Sequence, residues 1–146
     1  MDIYHVRVVA SFVVMIVFSV LDIRRKEIPA IPLFIYLVTG IVFGLLNGYL
    51  NEMLLTSLPG LFLIMLSFLS GEKIGYGDGI TTCALGIWVG IDITMATLVV
   101  GMLSIGFVAS VLIVRRRVKL HKGCDSERIP FIPFLLLGLA VSIISA

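Results

Sequence analysis

Two aspartates stand directly beside long apolar runs, and their pairing is the main chemistry that this sequence offers. Asp22 follows an apolar run, and Asp78 follows the segment Gly75-Tyr76-Gly77 and opens another apolar run. An ionisable side chain beside lipid is costly and is usually functional or paired. If the fold brings the two carboxyl groups together, like charge and partial burial favour one shared proton. One carboxylate can then take a proton from water while the protonated partner polarises a carbonyl group, as peptide hydrolysis requires.

The glycines before Asp78 predict a backbone that a substrate strand can approach. Gly75 and Gly77 lack side chains and permit positive φ angles, so a peptide could lie against this loop. Lys73, in the same loop, is a further candidate for shaping the loop or binding the substrate. Taken alone, Asp78 also suits a helix N-cap, because an aspartate that opens a helix is favoured there for local reasons.

The elements that must position these residues are predicted to be transmembrane helices. The chain of 146 residues is 60% hydrophobic and 14% charged, whereas a soluble domain is about 45–50% apolar and about 25% charged. Because about 20 apolar residues span a bilayer, we expect an all-α polytopic membrane protein of about six helices, with residues 1–146 forming one domain. The expected spans are residues 4–21, 31–49, 53–69, 80–89, 93–114 and 129–146.

The distribution of basic residues predicts the topology. If six spans alternate from an outside N-terminus, the cytoplasmic loops are residues 22–30, 70–79 and 115–128. These loops hold every lysine and arginine of the chain except Arg7, which we expect to snorkel to the outer end of the first span. The positive-inside rule therefore favours outside N- and C-termini, with Asp22 and Asp78 at the same depth on the cytoplasmic side.

Other chemistries find little support in the sequence. A net charge of +2 argues against nucleic acid as a partner. Cys83 and Cys124 lie in different regions, and His5 and His121 are isolated. No metal site, disulfide framework or cofactor is therefore expected.

Three motifs in order resemble those of the type IV prepilin peptidases, which are polytopic aspartyl proteases of the GxGD class. They are the segment 22–29 (D-I-R-R-K-E-I-P), the segment G-Y-G-D that ends at Asp78, and the segment 129–134 (I-P-F-I-P-F), in which Ile132 replaces the usual glycine. The resemblance extends over nearly the whole chain. It implies that Asp22 and Asp78 are the catalytic pair of a transmembrane peptidase domain.

The same resemblance implies a substrate and a location. Members of this family remove the short basic leader from type IV pilin-like precursors at the cytoplasmic face of the cell membrane, so prepilin-like proteins and the bilayer are the expected partners. Many members continue the second motif with a lysine where this chain has Ile80. The N-terminal cysteine tetrad of the larger, methylating members is missing as well, so we expect the short form that acts only as a peptidase.

A potassium channel is a second interpretation of the same loop. Ile74–Asp78 spells most of a selectivity filter, whose backbone carbonyls come from a Thr-Val-Gly-Tyr-Gly loop. Lys73 occupies the threonine position and would place a cation at an ion site. The charge pattern also puts Asp78 inside, whereas a filter aspartate faces outside. The channel is therefore disfavoured.

A third interpretation is a non-catalytic membrane protein that takes part in assembling a pilus or secretion system. Gly40, Gly44 and Gly48 form a stripe at four-residue spacing that predicts close helix packing without chemistry. The basic segment 115–122 is explained by topology and by contact with anionic lipid. The order of the three motifs favours the enzyme over this alternative.

Overall fold

The computed structural model describes residues 3–25, 29–70, 75–118 and 130–145. These residues form six α-helices and no strand, which confirms the all-α prediction. In chain order they are α1 (Ile3–Arg25), α2 (Ala30–Leu46), α3 (Leu50–Leu69), α4 (Tyr76–Val89), α5 (Ile91–Val118) and α6 (Ile132–Ser145).

Three of these helices are long and apolar enough to cross a membrane. Their candidate spans are Tyr4–Arg25, Asn51–Leu69 and Ile91–Leu112. Two shorter apolar helices, Ala30–Leu46 and Ile132–Ser145, accompany them. Many of the large apolar side chains of α1, α3 and α5 are exposed on the surface of the bundle, as expected where lipid rather than water is the solvent.

Helix α4 lies at the centre of the bundle. It contacts α1, α2, α3 and α5, and almost every residue from Gly79 to Val89 is buried. Its surface is covered by protein, so it can carry the adjacent hydroxyl residues Thr81 and Thr82, each of which donates a hydrogen bond to the carbonyl four residues earlier. The helix starts at Tyr76 rather than near residue 80 as expected, so that Asp78 lies inside it.

Glycines set the spacing between α4 and α3. A Cβ atom on Gly60 would overlap the backbone of Cys83, and one on Gly86 would overlap the carbonyl of Thr56. A Cβ on Gly79 would lie 3.0 Å from the backbone nitrogen of Ile64. The two helices therefore pack backbone against backbone, which is the small-residue packing typical of membrane helices.

The glycine stripe predicted on α2 is used only in part for packing. A Cβ on Gly40 would lie 2.8 Å from the indole Nε1 of Trp88 on α4, and one on Gly44 would overlap Met53 on α3. Gly48 instead has a φ of 75° in the turn after α2 and no neighbour within 4 Å of an added Cβ. Gly40 thus makes room for the ring of Trp88, and Gly44 makes room for the side chain of Met53. Neither glycine packs against the backbone of another helix.

Arg7 does not extend to solvent as expected. Its Nη2 donates a hydrogen bond of 2.8 Å to the carbonyl of Ile87, and its guanidinium lies 5.3 Å from the centre of the Phe43 ring. The contact joins the start of α1 to the end of α4, so these two helices run antiparallel. We call this end of the bundle the Arg7 end, and the opposite end, where α1 finishes and α4 begins, the aspartate end.

Candidate active site

Asp22 lies in the last turn of α1 and is buried, with 6% of its surface exposed. Its Oδ2 accepts a hydrogen bond of 3.1 Å from the backbone N–H of Ile132, the first residue of α6. The backbone N–H of Phe131 also bonds to this carboxylate. The first turn of a helix leaves N–H groups without partners and carries partial positive charge. Asp22 therefore caps α6 from a different helix.

The sequence around Ile132 explains why this donor is available. The N–H groups of Phe134 and Leu135 donate to the carbonyl of Phe131, and Pro133 has no N–H. Ile132 is the first residue of α6, so its N–H has no acceptor within the helix, and Asp22 provides one. The sequence did not indicate a role for residue 132, because every residue except proline has a backbone N–H. The two nearby prolines were the only sign of a helix start at this position.

Asp78 lies in the first turn of α4 and is half-buried. Its backbone N–H donates a 3.1 Å hydrogen bond to the carbonyl of Gly75, and its own carbonyl accepts one of 2.8 Å from the hydroxyl of Thr82. The carboxylate lies close to Gly75: a Cβ added at that residue would be 3.2 Å from Oδ2 of Asp78. The absence of a side chain at Gly75 therefore leaves room for the carboxylate.

Neither Gly75 nor Gly77 adopts the positive φ angle that a glycine permits. Gly75 has φ −67° and ψ 131°, which is extended backbone that any residue can adopt, and Gly77 is part of helix α4. Asp78 is not the N-cap either: Gly75 holds that position and Asp78 is the third residue of the helix. An acidic side chain is still favourable there because it faces the positive end of the helix dipole.

The fold brings Asp22 and Asp78 to the same end of two contacting helices. Helices α1 and α4 are packed against each other, and the Arg7 to Ile87 hydrogen bond sets their opposite directions. The last turn of α1 and the first turn of α4 are therefore both at the aspartate end. Lys73, the remaining candidate, lies outside the described residues.

No group of three or more His, Cys, Asp or Glu side chains is arranged to hold a metal ion in the part of the chain that the structure describes. Cys83 is a buried free thiol whose Sγ donates to the carbonyl of Ser57, 3.4 Å away, between α4 and α3. It serves the packing of these helices.

Comparison with known proteins assigns the chain to a family. No significant match was found among curated proteins or among solved structures. The model of the type IV leader peptidase family matches residues 9–111. The match includes most of α1, all of α2 to α4 and much of α5, and therefore both aspartates. With well over half of its length matched, this chain belongs to the type IV leader peptidase family.

Proposed function

We propose that the chain is a membrane aspartyl endopeptidase that cleaves the basic leader from type IV prepilin-like precursors. Asp22 and Asp78 are the catalytic pair in this proposal. The observation that carries it is their common position at the aspartate end of the antiparallel helices α1 and α4, within the region that matches the leader peptidase family.

The proposed reaction needs one ionised and one protonated carboxyl group. The ionised carboxylate takes a proton from a water molecule, and the water oxygen forms a bond to the scissile carbonyl carbon. The protonated carboxyl group hydrogen-bonds to the carbonyl oxygen and stabilises its developing negative charge. A proton then passes to the peptide nitrogen as the C–N bond breaks. The hydrogen bond from Ile132 holds the carboxylate of Asp22 in one orientation during these steps.

Two exposed arginines indicate which side of the membrane the aspartate end would face. Arg24 and Arg25 lie at this end, in the same turn as Asp22, and basic residues favour the cytoplasmic side. In our proposal the protein lies in the cell membrane, both termini face outside, and the active site faces the cytoplasm. The scissile bond would then sit at the membrane boundary, with the apolar helix of the precursor still in the bilayer.

The test is cleavage of a purified prepilin by the purified protein in detergent, with three matched variants. Asp22→Asn and Asp78→Asn each remove one carboxyl group, and we expect each to lower the rate by about 10² or more, the usual contribution of a general acid or base. Asp92→Asn, in the first turn of α5, makes the same change at the other end of the bundle and should leave the rate unchanged.

Two outcomes would contradict the proposal. Full activity in either Asp22→Asn or Asp78→Asn would exclude the two-aspartate mechanism. An inactive wild-type protein, tested with a precursor that an active member of the family cleaves, would favour the non-catalytic assembly role instead.

A further inference from the structure

Two cavities adjoin each other on one side of the bundle. The first is a groove of about 350 Å³ between α2, α3 and α4, which we call the apolar groove. Its walls are almost wholly apolar and include Leu37, Leu61, Ile64 and Ile80. The groove exists because α2 and α3 make little contact with each other.

The second cavity, of about 190 Å³, lies at the Arg7 end, and we call it the polar cavity. Its lining includes Arg7, Glu52, Tyr4 and Tyr49. Met53 and Ile87 line both cavities. The polar cavity therefore opens beside the end of the apolar groove.

Arg7 shares this cavity with Glu52 but is not ion-paired with it. Its Nη2 bonds to the carbonyl of Ile87, but its Nε is buried and has no hydrogen-bond partner among the described residues. No acid in this part of the chain forms an ion pair with it. A cation held partly inside a membrane protein favours an anion beside it, because its desolvation is otherwise uncompensated. The cavity thus provides a place for a negatively charged group.

Glu52 provides the complementary charge. It is exposed at the start of α3 and lines the same cavity as Arg7. A ligand that carries both an anion and an ammonium group could contact both side chains at once. The two tyrosine rings beside them are typical of positions where a protein meets lipid headgroups.

The length of the apolar groove matches one leaflet of a bilayer. From Met53 to Ile64 it follows eleven residues of α3, which is about 16 Å at the rise of an α-helix. Half of a hydrocarbon core of about 30 Å is about 15 Å. A hydrocarbon chain is thin enough for the groove.

The geometry points to one occupant for both cavities, a phospholipid with an amine headgroup such as phosphatidylethanolamine. Its phosphate contacts Arg7, its ammonium group contacts Glu52, and one acyl chain lies in the apolar groove. The headgroup contacts lie at the Arg7 end, whereas the groove extends to Ile80, two residues after Asp78. The lipid proposal does not depend on the proposed peptidase reaction.

The experiment is native mass spectrometry of the purified protein released from nanodiscs of mixed phosphatidylethanolamine and phosphatidylglycerol. We expect the wild-type protein to retain one phosphatidylethanolamine molecule. Arg7→Gln should lower the retained fraction at least tenfold, whereas Arg24→Gln, the same change at the exposed opposite end of α1, should not. Glu52→Gln should remove the preference for phosphatidylethanolamine over phosphatidylglycerol.

A second pair of variants tests the groove without altering any charge. Ser57 lines the apolar groove, so Ser57→Phe fills it and should lower lipid retention at least tenfold. Leu58→Phe places the same ring on the next residue of α3, which is exposed, and should retain the lipid. Circular dichroism checks that all variants are folded.

Three results would overturn the proposal. The first is a wild-type protein that retains no phospholipid above the level found with Ser57→Phe. The second is equal loss in Arg7→Gln and Arg24→Gln. The third is equal retention of both lipids by the wild-type protein, which would exclude the contact between Glu52 and an ammonium group.

Discussion

The carboxylate of Asp22 accepts a 3.1 Å hydrogen bond from the backbone N–H of Ile132, which lies 110 positions later in the chain. The bond joins the end of α1 to the start of α6 and fixes one of the two candidate catalytic groups. Because the donor is a backbone atom, the bond itself does not require a particular side chain at residue 132. Here it is a fully buried isoleucine that packs in the core, where the resembling family usually has glycine.

Loss of this backbone donor should impair cleavage more than loss of the Ile132 side chain. Ile132→Pro removes the N–H, and proline is otherwise tolerated in the first position of a helix. A hydrogen bond to a charged group contributes about 1.5–3 kcal/mol, so we expect the rate of prepilin cleavage to fall about ten- to a hundredfold relative to Ile132→Ala. The alanine variant is the matched control because it removes the side chain and keeps the donor. Equal rates in the two variants would show that the bond to Asp22 does not matter for activity.

A methyl group at Gly75 should displace the carboxylate of Asp78. Its Cβ would lie 3.2 Å from Oδ2, while the backbone angles at Gly75 suit alanine. We therefore expect Gly75→Ala to lower the cleavage rate at unchanged thermal stability. Gly106→Ala on α5 is the control, since nothing lies within 4 Å of its added Cβ. A Gly75→Ala enzyme as active as the control would argue against a catalytic position for Asp78 at this turn.

The contact between α3 and α4 should not tolerate a side chain at Gly86. An added Cβ would overlap the carbonyl of Thr56, and overpacking of this kind costs about 1–3 kcal/mol. We expect Gly86→Ala to lower the midpoint of thermal unfolding, which circular dichroism in detergent would measure. Gly106→Ala again serves for comparison and should have an unchanged or higher midpoint. If both variants unfold at the wild-type temperature, the helices are less closely packed than described.

Trp88 joins α4 to α2 in two separable ways. Its ring stacks on Tyr36 with 5.9 Å between centroids and an angle of 3° between the planes, and its Nε1 donates a 3.2 Å hydrogen bond to the carbonyl of Tyr36. Trp88→Phe keeps an aromatic ring and loses the donor, so the free energy of unfolding should fall by about 1 kcal/mol. Trp88→Leu also loses the stacking, which is worth about 0.5–1.5 kcal/mol more. Denaturant titrations of both variants provide the measurement; equal losses would mean that stacking contributes nothing.

The sequence predicted the fold because a protein in a lipid bilayer needs long apolar runs and an uneven distribution of charged residues, and both can be seen in the residue types. Apolar runs predicted six helices, and the charge pattern predicted that Asp22 and Asp78 share one side of the membrane. The structure places both at one end of the bundle. The details that were missed depend on packing. Arg7 bonds to Ile87 instead of snorkelling because α4 provides a carbonyl acceptor and α2 provides an aromatic ring. Neither group can be identified from the sequence near Arg7.

The boundary of α4 was missed for a related reason. Tyr76, Gly77 and Asp78 are poor predictors of a membrane helix because a lipid-facing segment would be more apolar. The buried part of α4 begins at Gly79, and the first turn, which holds Tyr76 and Asp78, is partly exposed at the end of the bundle, so this turn needs no apolar surface. Gly75 provides space for the carboxylate of Asp78 at a normal φ angle rather than a turn at a positive one.

The two aspartates belong to different packing units. Asp78 lies on α4, which packs backbone to backbone against α3, whereas Asp22 is bound to α6, which packs closely against α5. In the proposed enzyme, a sliding of the α3–α4 pair against the helices that hold Asp22 would change the distance between the two carboxyl groups.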